Sequence, residues 1–424
     1  MRTLRRALPF GLAALILLPL SAAHAQSQQP PNAIASSSYD PFFLGYETEP
    51  GMDFGGRTVA SVQSLISRGA FSMSWAERHP ALAPVWEFPV GAFLTVVQHE
   101  VDGHGGRGRE FGLSPSYEFG FDFSGATSTK RPPRTDVEST LLGVGGVEAD
   151  GIMARRILLD SLRPEGVDGA KIPLAMMAKL DLTLYVSDVE KPSSKPGDFI
   201  DQYKSGNDMA YYLVARQGAR RAIAPADVWN GVYAVDTNDP RLRDTWDDIR
   251  VTALWNALDP SLFAAVYAYF REHVLHGQVR VHPPTLRVSD ALSLSFGTRG
   301  ALGPQSVSRY LDLYGITRKG VLNVYVRDLD STIDHTWGAG AAVHGVRLGP
   351  ALEAGLQADG WREPDALEGI YSRGDQRWNV TGTVDATFGS WGLSGKVGAK
   401  SRGFLPGRPE SKGAYVGLGA TAAW

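Results

Sequence analysis

The chain has no cysteine in 424 residues, which excludes a disulfide framework. It has almost no charge of either sign in excess: 42 Lys and Arg stand against 45 Asp and Glu, a formal net charge of -3. That balance argues against a nucleic-acid partner held mainly by charge. An uninterrupted membrane-length run is also missing at the start, where the apolar stretch Phe10 to Leu20 is too short for a secure helical span. Stability must therefore come from burial, hydrogen bonds and, if a site for it exists, metal.

What the first residues do offer is a secretory signal. Arg2, Arg5 and Arg6 form its basic start, Phe10 to Leu20 its apolar centre, and Ala23-His24-Ala25 a small-residue cleavage site. The expected divisions are a signal over 1–25, a disordered polar leader over 26–38, a helical domain over 39–277 and an antiparallel β-domain over 278–424. The expected place is the outer membrane or periplasm of a Gram-negative bacterium. A composition of 43% apolar and 21% charged residues belongs to an ordered protein.

The chemistry concentrates in Gln98-His99-Glu100-Val101-Asp102-Gly103-His104-Gly105, at the end of an apolar run that begins near Val85. In the zinc-hydrolase pattern His-Glu-x-x-His, two imidazoles share one helix face and the glutamate activates a water. Here the spacing is His-Glu-x-x-x-His. At about 100° per residue, positions five apart on a regular helix point roughly 140° away from each other. His99 and His104 can share a metal only if an extra residue bulges the helix or the helix unwinds there, and Gly103 makes that distortion cheap.

These seven residues, His99 to Gly105, resemble the His-Glu-x-x-Gly-His-Gly stretch of the dipeptidyl-peptidase III family of zinc peptidases. The resemblance implies zinc, with His99 and His104 as ligands and Glu100 as general base. The family's third ligand lies in a Glu-Glu-x-x-Ala-Glu stretch, whose nearest counterpart is Gly145-Gly146-Val147-Glu148-Ala149-Asp150. There the ligand position falls on Gly146, which has no side chain to offer. Glu148 is the expected substitute, with Asp150 the alternative.

Gly145 and Gly146 lie inside a helix expected from Thr135 to Leu162, opened by a capping box formed by Thr135 and Glu138. Each interior glycine costs about 1 kcal/mol relative to alanine, which a fold tolerates where another backbone must approach. The His99 helix is expected to pack on that glycine face. Further helices are expected over Ile172 to Val186, Asp198 to Ala222, Pro225 to Val235 and Thr245 to His276, the last interrupted at Asp259-Pro260. Tyr211, Tyr212 and Arg216 are candidates for oxyanion stabilisation, with ordinary packing the stronger reading. His273, His276 and Glu272 could form a second metal group, though a helix-end role is the commoner one.

Tyr117, Phe119, Phe121 and Phe123 alternate with polar residues and read as a strand or as part of a hairpin. From about Gln278 strand patterns take over, eight of them between Thr285 and Trp424, with turn signals such as Gly349-Pro350 and Gly389-Ser390. Small or apolar residues alternate with polar ones, and the chain ends in Ala423-Trp424. That ending resembles the terminal strand of bacterial outer-membrane barrels.

The fold class expected is α+β: a zincin-like helical domain, then an antiparallel β-domain that is either an outer-membrane-type barrel or a soluble periplasmic unit. The function expected is a zinc-dependent hydrolase, a peptidase before other kinds, acting on a peptide or other envelope substrate. The competing class is a non-enzymatic outer-membrane barrel with a helical plug or interaction domain.

Overall fold

The computed structural model describes residues 40–72, 79–120, 122–372 and 374–423. The expected signal and leader lie outside them, as does Phe121. The fold is α+β. Strand β1 (Phe42–Glu47) comes first, then helix α1 (Met52–Phe71) and a long helical run made of α2 (Pro84–Val97), a π-helical segment (Gln98–His104) and α3 (Gly105–Glu110). Strands β2 (Pro115–Phe119) and β3 (Gly125–Thr129) form a hairpin. Helix α4 (Asp136–Ser161) follows, capped by Thr135, whose side chain accepts the Glu138 N–H. After the short β4 (Val167–Asp168) come α5 (Lys171–Asp188), α6 (Pro196–Lys204), α7 (Asp208–Arg220), α8 (Pro225–Trp229), α9 (Pro240–Ala257) and α10 (Pro260–Ala268), the last continuing into a second π segment (Tyr269–Val274).

The remaining chain is sheet: β5 (Arg280–Val281), β6 (Leu286–Arg287), β7 (Ser293–Leu302), β8 (Val307–Thr317), β9 (Gly320–Asp330), β10 (His335–Gly349), β11 (Leu352–Arg362), β12 (Gln376–Phe388), β13 (Trp391–Lys400) and β14 (Gly413–Ala422). Strands β6 to β14 pair in sequence order, each antiparallel to the next, and β1 completes the ten-stranded sheet beside β14. The segment Tyr39 to Met52, aromatic and punctuated by Pro and Gly, reads from the sequence as an ordered loop, but it holds β1. Its Phe42 pairs with Ala422 and its Glu47 with Gly417, so the segment before the helices belongs to the sheet built after them. β1 and β6 are the two edges. No pairing between them closes the sheet among the described residues.

The sheet lays a polar face on the helices and turns an apolar face outward. In β9, Leu322, Val324 and Val326 are exposed, while Asn323, Tyr325 and Arg327 between them are buried. In β13, Leu393 and Val397 are exposed while Ser394 and Lys396 are buried. Ion pairs and hydrogen bonds tie the inner face to the helices. Arg57 on α1 reaches Asp385 at 3.0 Å, and Arg155 on α4 reaches Asn323 at 3.0 Å. Lys396 on β13 reaches Asp53 at 2.8 Å.

The two larger apolar cores lie mainly among the helices. One gathers Leu141, Val144, Tyr212 and Leu213 around α4 and α7. The other gathers Leu94, Met153, Ile157 and Leu174 around α2, α4 and α5. By length and composition the run Pro80–Glu110 could cross a membrane. It packs on α4 and α5 and buries Gln98, His99 and Glu100, while Val85 and Phe93 in its first half are exposed.

Candidate metal centre

The π segment resolves the spacing problem in the sequence. Its backbone bonds run between residues five apart, as from the Gly105 N–H to the Glu100 carbonyl. Residues five apart then stack along one face, and the two imidazoles meet: His99 Nε2 and His104 Nε2 are 3.0 Å apart. Gly103 contributes closeness rather than unusual dihedrals. A Cβ there would lie 2.5 Å from the Gly146 Cα and 2.6 Å from the Gly145 carbonyl. The expected crossing of the His99 helix on the α4 glycines is therefore present. At Gly146 a Cβ would stand 2.1 Å from His99 Nε2, so this glycine makes room for the ring.

The third member of the triangle is Asp208. Its Oδ2 lies 2.9 Å from His99 Nε2 and 3.0 Å from His104 Nε2. The sequence reading ran one helix through this region. Gly206 breaks it with a φ of +89°, and the Asn207 side chain caps the next helix by accepting the Met209 and Ala210 N–H groups. Asp208 thus falls in the first turn of α7, facing the imidazoles.

Two further groups stand behind His99. Asp150 Oδ2 and Asp181 Oδ2 are each 3.1 Å from its Nδ1. On the far side, His104 Nδ1 donates to the Leu142 carbonyl at 2.6 Å. In the neutral tautomer that donates from Nδ1, each imidazole directs its Nε2 lone pair at the space beside Asp208. Tyr185, one turn after Asp181 on α5, stacks on the His99 ring at 5.2 Å between centroids, with its hydroxyl 3.1 Å from Nε2.

Glu100 is buried beside this group. Its Oε2 accepts the Thr127 hydroxyl of β3 at 2.6 Å, and a Cβ on Gly125 would press on its Cγ at 2.7 Å. The hairpin predicted near Tyr117 is what fixes this carboxylate.

Glu148 faces elsewhere. Two residues from both Gly146 and Asp150, it lies on the opposite side of α4. Its carboxylate is held by Arg107, whose Nε donates to it at 2.9 Å, and by the Gly407 N–H at 2.8 Å. Asp150, the alternative, is on the correct face but stands behind the imidazole. Tyr211 donates to or accepts from Ser139 at 2.7 Å, and Arg216 donates to Glu368 at 2.7 Å; both serve packing. His273 is buried against Glu87 at 3.1 Å. His276 is exposed, and Glu272 accepts the His282 N–H at 2.8 Å. These three do not converge.

The electrostatics of the cluster are lopsided. Glu100, Asp150, Asp181 and Asp208 surround two imidazoles. Among the described residues, none of the four carboxylates has a Lys or Arg within ion-pair distance. Burial alone would lower the His99 imidazole, but Tyr185, Asp181 and the bond to Asp150 raise it well above its ordinary value. His104 is raised against burial by Asp208. Burial opposes ionisation of Asp208, yet the two imidazoles hold its carboxyl well below the usual range. Burial and the neighbouring Asp181 push Asp150 far up, and its Oδ1 is buried with no hydrogen-bond partner. Four carboxylates around two imidazoles form an acidic enclosure suited to a cation between the Nε2 atoms and Asp208.

Neither protein-family models, nor curated proteins, nor solved structures give a match to this chain.

Proposed function

We propose that the protein is a zinc-dependent hydrolase, a peptidase before other kinds, whose metal ligands are His99 Nε2, His104 Nε2 and Asp208 Oδ2. The observation that carries this reading is their triangle, with edges of 2.9, 3.0 and 3.0 Å. Tetrahedral zinc with bonds of about 2.0–2.1 Å separates its ligand atoms by roughly 3.3 Å, so a small opening of the triangle admits the ion. Two imidazoles and one carboxylate, with a fourth position left to water, is also the donor set of catalytic zinc. When bound, zinc supplies a water acidified to a pKa of about 7 and a positive charge for a developing oxyanion.

The chain's own residues do the rest. Glu100, oriented by Thr127, takes a proton from the attacking water and passes it to the leaving group. Tyr185, its hydroxyl raised far above the ordinary phenol value by burial, stays protonated and donates a hydrogen bond where oxyanion charge develops. Asp150 and Asp181 fix the His99 tautomer. The local likeness of His99 to Gly105 to the dipeptidyl-peptidase III motif favours a peptide bond as the substrate. The test is a comparison of Glu100→Gln with the parent chain. It should keep zinc and lose nearly all turnover on peptide substrates, and unchanged turnover would reject the assigned base.

We also propose that the sheet is the wall of an outer-membrane barrel whose lumen holds the helices. Its inner face is polar and its outer face apolar, the reverse of a soluble sheet domain. Exposed aromatics mark both ends. Trp337 and Trp378 stand at one, Phe388 and Trp391 at the other. Trp378 and Phe388 are ten residues apart on β12. At about 3.3 Å per residue and a tilt near 40°, that spans about 25 Å, the height of a lipid-facing band. At the open side, α10 lies against β7 and exposes Phe263 and Tyr267, so helices continue the apolar surface.

A further inference from the structure

A cavity of about 140 Å³ lies between α4 and the inner face of the sheet, on the side of α4 away from the two imidazoles. Arg155, Arg299, Tyr310 and Arg408 line it. Each presents a buried polar atom that no protein group satisfies: Arg155 Nε, Arg299 Nη2, Arg408 Nε and the Tyr310 hydroxyl. Tyr310 is only 1% exposed, so its unpartnered hydroxyl is closed off from bulk solvent. Among the described residues, no lining side chain contributes an orphaned buried amide or carboxylate oxygen. The unmet demand is for an acceptor.

The charges agree. The lining carboxylates are already committed: Asp53 to Lys396 at 2.8 Å, Glu148 to Arg107 at 2.9 Å, and Asp359 to the Asn379 amide at 2.7 Å. Arg299 pairs with Asp312 at 2.9 Å through Nε and keeps Nη2 free. Neither Arg155 nor Arg408 has a carboxylate within ion-pair distance among the described residues. Arg155 donates to the neutral Asn323, and Arg408 lies over the Tyr415 ring at 5.3 Å. A guanidinium cannot shed its proton to escape burial. Tyr415, Asp53, Glu47 and Asp359 raise Arg408 against its burial, yet its Nε still has no hydrogen-bond acceptor.

We propose that this cavity binds an oxyanion, a phosphate or carboxylate group, through Arg155, Arg299, Arg408 and Tyr310. A planar guanidinium presents paired N–H groups to such oxygens, and several of them around one enclosed space select charge as well as shape. The group enters either as a free ion or as the head of a larger molecule such as a lipid.

Calorimetric titration of the full-length protein in detergent tests this, with inorganic phosphate, acetate and glycerol 3-phosphate as probes and chloride at matched ionic strength as the control. At least one probe should bind saturably, one per chain. Arg408→Gln should weaken it tenfold or more. Tyr310→Phe, which removes one hydroxyl and leaves the ring in place, should weaken it severalfold with metal content unchanged. Tighter binding of glycerol 3-phosphate than of phosphate assigns the source to a lipid headgroup, and the reverse order to a free ion. Preference for acetate assigns a carboxylate. No saturable binding of any probe, or binding undiminished in both variants, would overturn the proposal.

Discussion

His99, Glu100 and His104 are adjacent in the chain, and their residue types announced metal chemistry before any fold was known. Asp208, Asp181 and Tyr185 did not announce themselves. They lie on two later helices, and nothing in a single sequence ties position 99 to position 208. One signal was available: Gly206-Asn207-Asp208 has the form of a helix break and cap, which would have put an acid in a first turn. Glu148 was the expected substitute for a ligand position that falls on Gly146, but a residue halfway between Gly146 and Asp150 must point away from their face. Its actual role predicts a different phenotype. In Glu148→Ala the fully buried Arg107 loses its bidentate partner. Arg107 keeps its pair with Glu110 at 2.6 Å, so what is lost is the acceptor of its buried Nε and Nη2 groups, which costs about 1–3 kcal/mol. Denaturant melts should show a loss of that size, with metal content per folded chain unchanged. Metal lost without destabilisation would restore Glu148 to the site.

At the scale of elements, the extra residue in His-Glu-x-x-x-His required a distorted helix, and the distortion is a π segment running from Gln98 to His104. The glycines of α4 were legible as a place of close approach, because interior glycines weaken a helix unless something needs the room. What the sequence did not carry was the reason at each one: the Gly103 backbone at Gly145, and the His99 ring at Gly146. Gly146→Ala separates the two influences acting on α4. Propensity alone would stabilise the helix by about 1 kcal/mol. The added methyl would instead overlap the His99 ring and push Nε2 off the triangle. Metal affinity should fall tenfold or more, read by competition with a chelating dye. An affinity equal to the parent's would show that the ring does not depend on that gap.

For the whole molecule, the change from helices to an antiparallel sheet in the C-terminal part was legible from hydrophobic period, and β6 to β14 lie within the stretch where strand patterns take over. β1 was missed because an aromatic, Pro- and Gly-punctuated segment far from the other strands gives no hint of its partner; β14 supplies it 380 residues later in Phe42↔Ala422. An apolar outer face and a polar inner one predict that the protein fractionates with outer membrane, needs detergent for extraction and migrates differently on gels before and after boiling. Recovery in the soluble periplasm would reject the membrane wall and leave the metal site untouched. That site is the centre of the account, and Asp208 is the part of it that no motif supplied. The most direct measurement is the metal content of full-length protein purified without chelator, beside Asp208→Ala, His99→Ala and His104→Ala. The account predicts about one zinc per parent chain and loss of it in all three variants. A parent chain without bound metal, or an Asp208→Ala chain that keeps its full complement, would contradict it.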